Sequence, residues 1–282
     1  RGLGDVYKRQ DQPGDVFSDM FLEYNQNRTS GNMESIWVMQ LEYDTNGGGG
    51  KYEDWTKRAW VPKYWNETGF TLCDSLGGRG LAQIVPFKWW IDEDGFYTAN
   101  DVRNSKYNIK RTWYYNNPET PELLGKEAPV TESTWSKCTI YPVITKFFYG
   151  KTDDSPSYEG NNKDRMKFRL AETYLLLAEA RIRQNNASGA AEAINVVRKR
   201  AGAPDITASQ ATMDFLLDER IRELVGEELR RLTLVRTGKL VERTRKYNSY
   251  SNKIDEHHAL WPIPQTIIDS NTGADFPQNT GY

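Results

Sequence analysis

Apolar residues along this chain keep two rhythms, and the change falls near residue 163. Beyond it a helical period dominates to about residue 246. Met166–Gln184 reads MKFRLAETYLLLAEARIRQ, with Ala171, Tyr174, Leu175 and Ala178 spaced for one helix face. A turn at Asn185–Gly189 follows. Ala190–Ala201 then repeats the spacing through Ala190, Ala193, Ile194 and Val197. Gly202 stands where a left-handed C-cap is needed, and Pro204 follows as a stop. The two helices and their turn take about 36 residues, close to a tetratricopeptide unit of ~34 residues. Thr212 supplies an N-cap for a third long helix predicted over 212–236. Its stripe is Leu217, Ile221, Leu224, Val225, Leu229 and Leu232, and Gly238 ends it. After Lys246 the chain returns to loop, through LWPIP (Leu260–Pro264) to FPQNTGY (Phe276–Tyr282).

Before residue 163 short apolar stretches alternate with Gly, Asn, Asp and Pro. Asp15–Asn25 predicts a short helix. Ser35–Tyr43, rich in β-branched and aromatic residues, predicts a strand. Four glycines at Gly47–Gly50 make a connector. Tyr52–Asn116 holds six of the nine tryptophans without a sustained period, the pattern of long ordered loops with short helices. Tyr141–Tyr149 predicts another strand, and Lys151–Lys163 a polar loop. The fold class that follows is mainly α, with tetratricopeptide-like helix pairs and a loop-rich region carrying minor β structure. The loop-rich region spans 11–162, and the helical region with its terminal loops spans 163–282. Arg1–Gln10 (RGLGDVYKRQ) has neither the apolar core of a targeting segment nor the pattern of a folded element. It reads as foreign sequence, adapter read-through, so the natural N-terminus is expected upstream and the natural C-terminus at Tyr282.

Charge narrows the function classes. With 37 basic against 39 acidic side chains, the chain has no general attraction for nucleic acid or anionic lipid. Residues 165–246 carry 17 basic and 11 acidic side chains, a local excess of +6, but the signs are interleaved. In DERIRELVGEELRR, Glu219 with Arg222 and Glu227 with Arg230 and Arg231 read as self-paired residues on a solvated helix. Arg236–Lys239 (RTGK) is no phosphate loop, because Thr233 stands where the first glycine belongs. Asp92–Gly95 (DEDG) fails as an EF-hand, since that frame would put Trp90 at the first ligand position, which leaves only an isolated loop calcium open. His257 and His258 are adjacent and read as an exposed turn. Cys73 and Cys138 fit no zinc spacing. No metal, cofactor or catalytic set is expected.

Several motifs in the helical part resemble those of one family. RLAETYLLLAEA (Arg169–Ala180), INVVRKRAGAP (Ile194–Pro204), DERIREL…GEELRR…LVRTGK, the late Trp-Pro-Ile-Pro and the closing QNTGY (Gln278–Tyr282) follow in the order of the C-terminal half of the SusD/RagB family. The resemblance covers about residues 165–282. Glu228 stands where many members have Gly, and Thr233 where many have Asp. The resemblance implies a non-catalytic surface protein that captures glycans or other nutrients and delivers them to a TonB-dependent, SusC-like transporter barrel. It implies a place on the outer face of the bacterial outer membrane, through a lipidated N-terminal Cys upstream of this sequence. Neither Cys73 nor Cys138 is placed to serve.

A pyranose ring has an apolar C–H face and a polar rim, so it calls for flat rings flanked by hydrogen-bonding groups. Aromatic residues make up 12% of the chain. Within 52–115 the candidates are Trp89 and Trp90 first, then Trp60, Tyr64 and Trp65, with Trp55 nearby. Asn66, Asp92, Asp94, Asn100 and Arg103 are the polar partners expected beside them. Packing of the loops onto the helices is the competing reading for every ring. Trp89 and Trp90 lead because two adjacent loop residues rarely both point into a core. Three other functions fit the residues: a glycoside hydrolase, which needs two carboxylates ~5–9.5 Å apart; a helical adaptor for peptides; and a family member with peptide cargo.

Overall fold

The computed structural model describes residues 13–42, 45–47, 54–92, 94–148 and 162–282. The foreign-sequence reading of Arg1–Gln10, three of the connector glycines (Gly48–Gly50), Tyr43, Tyr52, Glu93, Tyr149 and nearly all of the loop Lys151–Lys163 lie outside the described residues. Two units make up the chain, one running to Val225 and one from Gly226 to Tyr282.

In the first unit, regular elements are short until residue 165. They are strand β1 (Ser35–Met39), helices α1 (Thr56–Trp60) and α2 (Lys88–Ile91), strands β2 (Ile109–Lys110), β3 (Trp113–Tyr114) and β4 (Glu127–Ala128), helix α3 (Glu132–Ser136) and strand β5 (Val143–Ile144). Strand β6 (Arg165–Arg169) leads directly into α4 (Leu170–Arg183), followed by α5 (Ala187–Arg200) and α6 (Met213–Leu224). The strands form three antiparallel pairs, β1 with β6, β2 with β5, and β3 with β4. This is the mainly α, loop-rich architecture that the sequence predicts. Asp15–Asn25 forms only a 3₁₀ turn at Ser18–Phe21, and the strand predicted over 141–149 is confined to β5.

The helix pair forms as its spacing requires. Ala171, Leu175 and Ala178 of α4 meet Ala190, Ala193, Ile194 and Val197 of α5, all buried in one cluster with Leu216 and Leu224 of α6. Small residues let the helices approach closely, and each fully buried Leu, Ile or Val contributes roughly 1.5–3 kcal/mol. The Asn186 side chain accepts from Gly189 N at 2.9 Å and caps α5. Thr212 caps α6, accepting from Phe215 N at 3.2 Å. Gly202 takes φ +70°, and an added Cβ would lie 2.8 Å from the Asn100 carbonyl oxygen. This left-handed cap therefore also lets the loop at Asn100 lie against the helix end.

Two predicted helix boundaries are corrected. The first four residues of the predicted 166–184 helix belong to β6, where Val38 opposes Met166 and Trp37 opposes Phe168. Met166 turns inward to Phe17, Met20 and Phe21, and that tertiary pairing overrides the helical tendency of the segment. The long helix predicted over 212–236 is two helices. It breaks after Leu224, and Gly226 takes φ +78°. Leu217 and Leu224 are buried, but Leu229 and Leu232 are 72% and 56% exposed, so the apolar stripe ends at the break.

The charges of α6 are also corrected. Glu219 and Glu223 are not solvated; both are fully buried. Glu219 pairs with Arg103 at 2.8 Å, Arg198 at 2.9 Å and Arg222 at 3.0 Å. Glu223 pairs with Arg103 at 3.0 Å and also with Arg169 and Arg200. Arg200 reaches Glu34 at 3.1 Å, and Arg103 reaches Asp101 at 2.7 Å. Burial pushes the Glu223 carboxyl up, but Arg200, Arg169 and Arg103 outweigh it and hold it far below the usual carboxylate range. Glu219 is lowered against its burial in the same way by Arg103, Arg222 and Arg198. Asp101 and Arg103 belong to the loop-rich region, so this cluster fixes those loops to the end of β6, α5 and α6.

The second unit contains α7 (Arg230–Arg236), α8 (Leu240–Tyr247) and α9 (Gln265–Ser270). Gly238, at φ +68°, ends α7 as expected. The closing motif folds back on Trp-Pro-Ile-Pro. Gln278 Oε1 accepts from Ile263 N at 2.8 Å, and its Nε2 donates to Ile263 O at 2.8 Å. Asn279 donates to Trp261 O at 2.8 Å, and the Tyr282 hydroxyl to Leu260 O at 3.0 Å.

Candidate functional site

The loops between Asp54 and Phe148 carry their own aromatic core. Trp60, Val61, Tyr64, Phe70, Leu76, Trp90, Ile91, Ile109 and Trp113 are buried together with Ile140, Tyr141 and the two residues of β5, Val143 and Ile144. Polar ring atoms are satisfied locally. The Tyr64 hydroxyl meets both the carbonyl and the N–H of Cys73 at 3.2 Å, Trp113 Nε1 donates to Tyr141 O at 3.2 Å, and the Tyr141 hydroxyl to Trp60 O at 3.0 Å. These bonds and the ring packing tie the irregular backbone together.

This core decides the fate of the five expected ring contacts. Trp60 stacks on Phe147 with centroids 6.1 Å apart and is buried. Tyr64 is 0% exposed, packed between Phe70 and Trp113. Trp90 is 7% exposed. These three rings are packing residues with no face left for a ligand, which corrects their placement at a sugar-binding surface. Trp89 and Trp65 are half-buried and pack against the core from outside. Trp89 meets Phe96 edge-on at 5.3 Å. Trp65 donates through Nε1 to Gly80 O at 3.0 Å. Trp89 and Trp90 lie in one helical turn, α2, with Trp90 in the core and Trp89 partly buried against it.

Of the polar partners, Asn66, Asp92, Asp94 and Asn100 are exposed. Arg103 is not available, being sealed in the buried ion cluster. Exposed rings lie elsewhere. Trp55 is 50% exposed, with the Arg58 guanidinium 4.0 Å from its centroid. Trp37 and Phe168 stack across β1 and β6 with centroids 5.8 Å apart, and both are more than half exposed. The pairing of Trp55 with Arg58 was legible as a Trp and an Arg three residues apart at a helix start. The pairing of Trp37 with Phe168 joins distant segments and left no local signal.

Among the described residues no cluster of His, Cys, Asp and Glu is placed to hold a metal. His257 and His258 lie half-buried, not exposed, in a 3₁₀ turn, their tilted rings 3.8 Å apart beside Tyr282. Cys73 and Cys138 are free thiols. Among the described residues no helix is long and apolar enough to cross a membrane.

A chain with this helix pair, this loop-borne aromatic core and this closing clasp falls in a known class of helical proteins with elaborated loops. The SusD family profile matches residues 13–282, and the chain belongs to that family. It is 31% identical over 141 residues to SusD-like protein P25 of Formosa agariphila, covering 46% of this chain and 27% of that protein. It is 36% identical over 122 residues to the starch-binding protein SusD of Bacteroides thetaiotaomicron, covering 41% of this chain and 21% of that one. The fold matches surface glycan-binding protein A of Bacteroides thetaiotaomicron with a TM-score of 0.64 at 23% identity, covering 97% of this chain and 56% of the other. The same protein in complex with laminarihexaose matches with a TM-score of 0.62. The matched stretch spans about a quarter of those two sequence relatives and little more than half of the solved chain.

Proposed function

We propose that this protein is a non-catalytic glycan-binding protein of the bacterial cell surface that delivers oligosaccharides to a TonB-dependent outer-membrane transporter. The observation that carries the reading is the set of indoles Trp55, Trp65 and Trp89, held partly exposed on loops that a buried ring core makes rigid. Rigid flat rings suit the C–H face of a pyranose, and their preorganisation spares the ordering cost of binding. Trp60, Tyr64 and Trp90 are buried in that ring core. Membership of the SusD family, and relatives named for binding starch or solved with laminarihexaose, support the ligand class. The same membership supports attachment to the outer face of the outer membrane by a lipidated cysteine upstream, and a SusC-like barrel as partner.

Isothermal titration of the full-length protein against a panel of polysaccharides tests the reading. Binding of at least one, with no new reducing ends on prolonged incubation, is the expected result. New reducing ends would establish the glycoside hydrolase instead. Affinity for peptides without affinity for any glycan would establish the adaptor or the peptide-cargo member. Co-purification with a transporter barrel from native membranes tests delivery.

A further inference from the structure

The register of β1 and β6 is irregular around one pair of residues. Ser35 opposes Arg169, Trp37 opposes Phe168 and Val38 opposes Met166, with a shift on each side of the Trp37–Phe168 pair. Ile36 and Lys167 are therefore the extra residues of two bulges, one on each strand. The flanking pairs both face inward. Ser35 and Arg169 are buried, with Arg169 bound to Glu223. Val38 and Met166 pack with Phe17, Met20 and Phe21. A regular ladder alternates faces at every position, so Trp37 would share the inward side with Ser35, and Val38 would turn outward. The two bulges reverse this. They keep both flanking pairs in the core and set the pair between them on the outside, where Trp37 is 57% and Phe168 52% exposed.

The two rings lie face to face, their centroids 5.8 Å apart and their planes 25° from parallel. Phe168 holds one face of the indole, which leaves the opposite face and the edge with its N–H donor for a ligand. Charged groups of both signs stand beside the rings. Lys167 is the bulged residue next to Phe168, Arg165 lies two residues before it, and Arg165 pairs with Asp54 at 3.4 Å. Burial and then the Arg165 charge lower the Lys167 pKa while Asp54 opposes them, so the three groups share one neighbourhood.

The extent of the patch decides what it suits. A large aromatic residue carries roughly 150–250 Å² of surface, so two that are half exposed present about 200 Å². The next pair along the strands, Met39 with Arg165, is half-buried and carries a charge, which ends the apolar surface there. Even with the exposed Ile36 beside it, the patch falls far short of the roughly 800 Å² that each partner of a stable protein–protein contact buries. A single pyranose ring, apolar on its C–H face and polar at its rim, fits this size and make-up. The neighbouring charges mix signs, so nothing in them selects a charged sugar.

We propose that the Trp37–Phe168 pair is a glycan-binding site in its own right, the indole taking the C–H face of one pyranose unit of a neutral oligosaccharide and Phe168 holding the indole in place. The proposal rests on the glycan-binding function and adds a second point of contact, on strands instead of loops. The test is fluorine NMR of the full-length protein labelled with 5-fluorotryptophan, with Trp37→Phe identifying the Trp37 resonance. A dissolved nitroxide should broaden that resonance in the free protein. Titration with laminarihexaose, maltohexaose and cellohexaose should move it with at least one of the three. The Kd read at that resonance should rise about three- to tenfold in Phe168→Ala. A Trp37 resonance that the nitroxide leaves sharp overturns the proposal and assigns the pair to packing against the rest of the full-length chain. Other tryptophans moving while Trp37 stays still overturns it too and leaves the glycan-binding function standing. An unchanged Kd in Phe168→Ala shows that Trp37 reports binding elsewhere, which also overturns it. Silence of every tryptophan with all three hexasaccharides overturns the proposal, and failure across the wider polysaccharide panel removes the function with it.

Discussion

Replacing Glu223 by Gln should be among the most damaging single changes in the protein. Its carboxylate is fully buried and faces Arg103, Arg169 and Arg200. Four buried carboxylates (Glu34, Asp101, Glu219, Glu223) face four buried guanidiniums (Arg103, Arg169, Arg198, Arg200), with the less buried Arg222 at the edge on Glu219. The glutamine keeps the shape but leaves four cations facing three anions. Stranding a buried charge in this way costs about 3–5 kcal/mol, a large share of the roughly 5–15 kcal/mol that holds a typical protein folded. With a urea m-value of about 2–3 kcal/mol/M, the unfolding midpoint should fall by about 1–2.5 M. Urea is the denaturant of choice because guanidinium is itself a salt and screens the charges. The paired change Glu223→Met/Arg200→Met restores balance and should cost less than the sum of its two single changes, by about 0.5–3 kcal/mol. An unchanged midpoint in Glu223→Gln, or strict additivity in the cycle, would refute the view that this cluster holds the loops to the helices.

Three further outcomes are expected. Gly80→Ala should lower the melting temperature and weaken ligand binding together, because its Cβ meets backbone oxygens that cannot swing aside; titration and thermal unfolding of the one variant check both. Trp90→Ala should cost about 3–5 kcal/mol of stability, whereas Trp65→Ala should act more on glycan affinity than on unfolding, so calorimetry and titration run side by side separate core ring from ligand ring. Burial draws the Lys163 ammonium down to about 7, below its unfolded value of 10.5. The penalty is full below about pH 7 and fades as pH rises towards 10.5, so stability should climb over that window. Urea unfolding of Lys163→Met at neutral and alkaline pH should show a flatter climb than the parent.

The α4–α5 pair was legible because its information is local. Apolar spacing, the small residues and Gly202 each act within a few positions of where they stand. Strand β6 was not, because its pairing residue for Arg169 is Ser35, far back in the chain, and MKFR alone continues the helical pattern. The break after Leu224 was hidden for a related reason: Leu229 and Leu232 keep the arithmetic of the stripe while leaving the core. Reading Glu219 against Arg222 found a real bond of 3.0 Å, yet Arg103 binds the same carboxylate more closely at 2.8 Å. In the loop-rich region, aromatic density was legible, but which rings are exposed depends on loops with no period. Trp89 and Trp65 keep part of their surface, while Trp60, Tyr64 and Trp90 are buried.

The separation between Arg103 and Glu223 is 120 residues, and a ribosome adding about 5–20 residues per second needs roughly 6–24 s to cross it. Through that interval Arg103 has been synthesised while its partners on α6 have not. Asp101 is made almost with it, and it accepts from Arg103 Nε at 2.8 Å and from Nη2 at 2.7 Å. The nascent loops thus carry their most costly cation already matched by a neighbour two residues away. The remaining donor, Nη1, waits for Glu219 and Glu223, so the loop-rich half can be locked in place only when α6 has left the exit tunnel.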